Sequence, residues 1–202
     1  VAPGQQVNYF VEVWDNDGVN GPKSSRSQIM TWKKASLSEM DVIMSDNAEK
    51  MNSSMSSSAA QAQELKEEYK EMQKDVLDAS SNNWERSQKM QSMLDKNLQI
   101  KQNLENLKKR FEEQQKQAQA KDYSPEIQQK QELLKDQIDN LKEKQLQDQI
   151  KKLQDLLKRK DKENTVQEMK QLEESNKLFQ MDMERLQELL KKLEMQMALE
   201  NM

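Results

Sequence analysis

The hydrophobic positions of this chain form a long stripe that steps alternately by four and three residues. From Met44 it runs through Ala48, Met51, Met55, Ser58, Ala62, Leu65, Tyr69, Met72, Val76 and Ala79. In the same phase it continues through Asn83, Arg86, Met90, Met93, Asn97, Ile100, Leu104, Leu107, Phe111, Gln114 and Ala118. A mean step of 3.5 residues predicts helix with one narrow, slowly winding seam, of the kind that meets another helix. After Pro125 the stripe restarts as Ile127, Gln131, Leu134, Ile138 and Leu141, slips, and resumes at Leu146, Ile150, Leu153 and Leu157. It returns as Met169, Leu172, Asn176, Phe179, Met183, Leu186, Leu190, Leu193 and Met197. The slip after Leu141 reads as a stutter, which unwinds a coiled coil locally without ending it.

Helix-start signals divide this pattern. Ser36-Leu37-Ser38-Glu39 is a capping box, Asn82-Asn83-Trp84-Glu85 carries an Asx cap, and Thr165-Val166-Gln167-Glu168 is a second box. Ser124-Pro125-Glu126 is the strongest start, because proline belongs at the first helical position and disfavours helix before it. The signals recur about every forty residues, as four helices of similar length would require. Against that, the stripe crosses Asn83 and Arg86 in phase, which suits one helix from Ser36 to Lys121. We therefore expect two helical regions, 36–121 and 125–202, with breaks at 80–84 and 161–165. A bundle core wants nearly three apolar positions in seven, and this chain mostly supplies two. The fold class expected is mainly α, with long antiparallel coiled-coil or helical-hairpin segments. An elongated α-hairpin turning near 120–125 is favoured over a globular bundle.

Residues 1–34 follow a different period. Val7, Tyr9, Val11 and Val13 alternate with Phe10 and Trp14, which predicts a strand over 7–14. Asp15 to Pro22 is loop chemistry, and Ser27 to Trp32 predicts a second strand. A lone two-stranded hairpin is marginal in water, so this one reads as the last strands of a sandwich-like domain, as an addition to a partner's sheet, or as a ribbon packed on the helices.

Composition narrows the function classes. Of 202 residues, 34% are hydrophobic and 34% charged, and the net charge of −4 comes from 32 basic and 36 acidic residues finely interleaved. Nucleic-acid binding needs a basic stripe, and none is present; Lys108-Lys109-Arg110 and Lys158-Arg159-Lys160 read as solvated helix faces. With no cysteine or histidine, thiolate chemistry and the commonest general base and transition-metal ligand are missing. No phosphate loop, nucleophile elbow or zinc spacing occurs, so the chain reads as non-enzymatic. A first residue Val reads as a processed chain or an excised fragment.

Three candidate sites remain. Asp15, Asp17 and Asn20 could supply three oxygens to calcium, but glycine sits at the fourth position of an EF-hand register and no closing Glu follows. A plain loop of Asx turns explains the same residues. Met44, Met51 and Met55 lie in a Met-Ser-Ala segment that suits an adaptable protein-binding surface as well as a loose core. Phe179, Met183, Leu186, Leu190 and Leu193 form the most apolar stretch, broadened by Leu178, Leu189 and Met195. They read either as a packed end or as a docking face for a protein partner or a second copy. Asn97 and Asn176 on the seam are polar residues of the type that fixes register.

The run Tyr9-Phe10-Val11-Glu12-Val13-Trp14-Asp15-Asn16-Asp17-Gly18-Val19-Asn20-Gly21-Pro22-Lys23-Ser24, going on to Ser27-Gln28, resembles the end of an immunoglobulin-like β-domain. More closely, it is similar to a family of large, uncharacterised bacterial envelope proteins with N-terminal membrane helices, β-sandwich material and a long Gln/Glu/Lys-rich coiled-coil region. The resemblance implies an extracytoplasmic, periplasmic location with a membrane tether outside this segment. It brings no enzymatic activity, catalytic residue or cofactor. The function expected is structural: a scaffold acting through protein–protein interaction of its helices. The alternative is a holdase chaperone whose helical arms clasp unfolded clients with mobile Met-rich surfaces.

Overall fold

A computed structural model of the chain describes residues 1–78, 82–121, 123–158 and 162–200. Ala79, the 80–81 part of the first expected break, and Arg159, Lys160 and Asp161 lie outside them. The chain divides into two compact units, Val1–Ser45 and Asp46–Met202.

In the first unit, strands β1 (Gln6–Tyr9) and β2 (Glu12–Trp14) run against β3 (Ser24–Arg26) and β4 (Met30–Lys33). The pairs β1–β4 and β2–β3 are separate antiparallel ladders, not the two unbroken strands expected. Tyr9 pairs with Met30 but Glu12 with Arg26, so residues 10–11 face residues 27–29 and the second strand carries one extra residue. That is a β-bulge, closed by the Ser27 amide donating to the Val11 carbonyl at 2.8 Å and by the Val11 amide donating to the Ser27 hydroxyl at 2.9 Å. The loop between β2 and β3 turns back through Gly21, whose φ of +83° a side chain would strain.

Helix α1 (Leu37–Leu77) starts at the predicted box. The Glu39 amide donates to the Ser36 hydroxyl at 3.2 Å, and the Glu39 carboxylate accepts from the Ser36 amide at 2.8 Å. That backbone bond and the Lys33 ammonium hold the Glu39 carboxyl down to about 2.

The second unit contains α1 from Asp46 onward, α2 (Asn83–Ala118), α3 (Pro125–Asn140), α4 (Gln147–Lys158) and α5 (Lys162–Glu200). Asn82 caps α2 through its side chain, which accepts from the Trp84 amide. Helix α1 ends at Leu77 and α2 starts at Asn83, two helices where the stripe taken alone suited one. Helix α5 has begun three residues before Thr165, so the box read there is interior sequence, with Thr165 buried.

Cross-helix bonds give the packing. Helix α1 meets α2 at Asp75–Lys89, Tyr69–Asn97, Ser58–Asn103 and Asn47–Arg110, where one number falls as the other rises. It meets α5 in the same antiparallel sense at Gln73–Glu173 and Asn52–Glu194. Helices α3 and α4 run antiparallel to α2 through Lys108–Asp139 and Lys101–Gln147. They run antiparallel to α5 through Lys130–Gln196, Gln145–Asp182 and Lys152–Gln171. Each arm thus touches two neighbours, in an up-down-up-down arrangement of four arms. This corrects the two-armed α-hairpin. Polar side chains that bond across the arms, among them Ser58 with Asn103 and Gln149 with Ser175, flank the apolar seam.

The seam is occupied almost residue for residue as the periodicity predicts, from Met51 through Val76, Met90 through Ala118, Ile127 through Leu141 and Met169 through Met197. Asn47 is buried in place of Ala48, and Asn83 is exposed. The third arm departs further. Leu141–Leu146 is a π-helical segment, and beyond it the buried side chains are Leu146, Gln149, Ile150, Leu153 and Leu156, with Leu157 only half-buried. From Leu146 through Gln149, Leu153 and Leu156 the steps are three, four, three, so a 4-3 seam resumes after one step of five. One residue has been inserted, and the wider π turn absorbs it while keeping the seam inward. Deleting the exposed Lys144 is expected to convert this turn to α-helix with the core phase unchanged and the melting temperature equal or higher. A lower melting temperature would show that the π turn is itself required.

Candidate functional site

In the β2–β3 loop both carboxylates are used to shape the chain. Asp15 accepts from the Lys23 amide at 2.7 Å, and Asp17 accepts from the amides of Val19 and Asn20 at 3.0 and 3.1 Å. Asn20 turns its side-chain amide toward Asp17 as a donor at 3.2 Å. Those bonds, led by the Asn20 amide, hold the Asp17 carboxyl below its usual range. The three candidate calcium ligands are brought together, but as Asx turns. Among the described residues no group of three metal-ligating side chains forms.

The seam residues proposed to bind a partner are in the protein's own interior. Met51, Met55, Phe179, Met183, Leu186, Leu190 and Leu193 are buried in the second unit, and Met44 is buried as well. This corrects the docking role: four arms of one chain supply the helix faces that a narrow seam was expected to find elsewhere.

What is left outside is a different apolar set. The cross-strand pairs Val7–Trp32 and Tyr9–Met30 put four large apolar side chains on one face of the ribbon, and all four are exposed. Nearer the turn, the Arg26 guanidinium lies 4.9 Å from the Phe10 ring centroid and its Nε donates to Glu12 at 2.8 Å. These contacts give Phe10 a polar neighbour, while Val11, Val13, Trp14 and Ile29 around them are exposed.

On the second unit a cleft of about 380 Å³ opens between α3 and α5, lined by the buried Leu134 and Leu193 and by Leu133, Leu189, Met195 and Leu199, with Lys130 and Lys192 beside it. Leu189 and Met195 were singled out from sequence; Leu133 and Leu199 were not. The doublets Leu133-Leu134 and Leu189-Leu190 were a readable signal, since a narrow seam can bury only one leucine of each pair.

Deep in the bundle a polar layer interrupts the apolar seam. Asn97 donates to the Tyr69 hydroxyl at 3.0 Å and to the Met93 carbonyl at 2.8 Å, and Asn176 donates to the Ala62 carbonyl at 2.7 Å. Tyr69, Asn97 and Asn176 are all fully buried, and burial pushes the Tyr69 phenol up, keeping it neutral. The side-chain oxygens of Asn97 and Asn176 meet no donor among the described residues. Glu194, half-buried against Asn52, has its carboxyl raised by desolvation. Nothing here pairs a nucleophile with a base.

No helix among the described residues is long and apolar enough to cross a membrane. No protein-family model, curated protein or solved structure matches the chain.

Proposed function

We propose that the chain is a non-enzymatic scaffolding segment of the bacterial cell envelope, acting through protein–protein contact. In this reading the helical arms are coiled-coil spacers, and the β-ribbon is the closing pair of strands of an immunoglobulin-like sandwich. The observation that carries it is the ribbon face bearing Val7, Tyr9, Met30 and Trp32, with Trp32 50% exposed. A two-stranded ribbon cannot bury such a face by itself, and a second sheet packed about 10 Å away would cover it. The envelope location and the membrane tether come from the resemblance of residues 9–24 and 27–28.

A photo-crosslinking side chain at Tyr9 tests this, with Asn8 on the opposite face as control. Crosslinks from Tyr9 that map to β-strands of an envelope protein are expected. Equal crosslinking from both positions, or none, would defeat the reading. The holdase alternative rested on a mobile Met-rich arm, and Met51 and Met55 are packed in the core.

A further inference from the structure

Helix α5 has a second stripe. Leu178, Met181, Arg185, Glu188, Lys192, Met195 and Leu199 repeat at steps of three and four, like the seam, but all are exposed. At 100° per residue this stripe lies on the side of the helix away from Phe179, Met183, Leu186, Leu190 and Leu193. The four apolar members are between 57% and 68% exposed. Among the described residues Arg185, Glu188 and Lys192 make no ion pair. A heptad stripe of this kind on the outer face of a helix is the pattern of a helix–helix contact, not of a solvated surface.

The order of residues identifies the occupant. Apolar positions lie at both ends and a basic-acidic-basic trio lies between, so an antiparallel copy shifted off the register that sets Glu188 on Glu188 and Arg185 on Lys192 opposes unlike charges and keeps apolar ends together. We infer that this face binds the same face of a second copy, with the two α5 helices antiparallel. A parallel pairing in register would stack each charge on its like. The antiparallel register centred level with Leu190 sets Met181 against Leu199 of the second copy and Glu188 against Lys192 of the second copy. Each contact occurs twice by the dyad, as an isologous interface requires. The Arg185 stem then lies along Met195 of the second copy, with its guanidinium free to reach water. The remote cleft leucines, Leu133 and Leu189, continue the apolar area beside the stripe. This inference extends the scaffolding reading to another surface, and it uses none of the ribbon residues.

Sedimentation velocity over a wide range of concentration tests it with the whole chain. The wild type is expected to dimerise reversibly. Glu188→Lys and Lys192→Glu, both at exposed positions, are each expected to weaken association about tenfold by setting like charges together twice. An equimolar mixture of the two variants restores both unlike pairs and is expected to dimerise as well as the wild type. Circular dichroism checks that helix content is unchanged. A wild type that stays monomeric throughout, variants that dimerise undiminished, or a mixture that fails to recover would each overturn the inference. The ribbon crosslinks are unaffected by any of these outcomes, so the two readings fail separately.

Discussion

Replacing Phe179 with alanine is expected to lower the unfolding free energy by about 3–5 kcal/mol. Phe179 is one of the three largest fully buried side chains and sits on the seam of α5, the arm that touches both α1 and the α3–α4 arm. Its removal leaves a cavity that the α1 and α3–α4 arms would have to collapse to fill. Such arms, pinned by polar bonds along their flanks, cannot rotate to do so. Domains of this size carry about 5–15 kcal/mol in total, so the variant would lose about a fifth of its stability or more. Lys177→Ala, two residues away and exposed, is the control and should fall within about 0.5 kcal/mol of wild type. Denaturant midpoints at constant slope would measure both. Equal midpoints would mean that Phe179 is not in the core.

The contrast between neighbouring positions also shows which part of the fold was legible. A 4-3 stripe states which side chains point inward, and Phe179, Tyr69 and Phe111 are all where it puts them. It does not state how many arms share the interior, because two residues in seven suit a pair as well as a quartet. The deciding residues are Ser58 with Asn103, Gln149 with Ser175, and Lys96 with Glu64 and Glu68, all of which bond across arms. By composition they resemble a solvated surface, and only the fold brings them together. The capping signals were better witnesses to arm number, since a start at Asn82 or Ser124 is set by backbone groups nearby. Thr165 shows their limit: a box-like sequence inside an already formed helix has no orphan amides to satisfy. The bulge in the ribbon was invisible for a related reason. Alternation along one strand carries no count of the residues opposite it.

The second large effect concerns the polar layer. Asn176→Leu together with Asn97→Leu and Tyr69→Phe is expected to raise the unfolding free energy by about 2 kcal/mol while loosening the specification of the fold. The stability gain follows from two buried oxygens that meet no donor among the described residues, each of which carries a desolvation cost of about 1–3 kcal/mol, offset in part by the bulk of leucine. Tyr69 must change with Asn97, because its hydroxyl would otherwise be stranded; Asn97→Leu alone should therefore be no more stable than wild type. The cost in specificity follows from the seam itself. Met and Leu repeat so evenly along four arms that sliding one arm by a heptad would still bury apolar side chains. The bond of Asn97 to the Tyr69 hydroxyl exists in one register only, and Asn176 adds a bond to the Ala62 carbonyl. The triple variant should thus show a higher denaturant midpoint together with duplicated amide resonances in a heteronuclear spectrum. A higher midpoint with a single set of resonances would assign register to the connections between arms instead. A lower midpoint would show that the layer stabilises the bundle as well as aligning it.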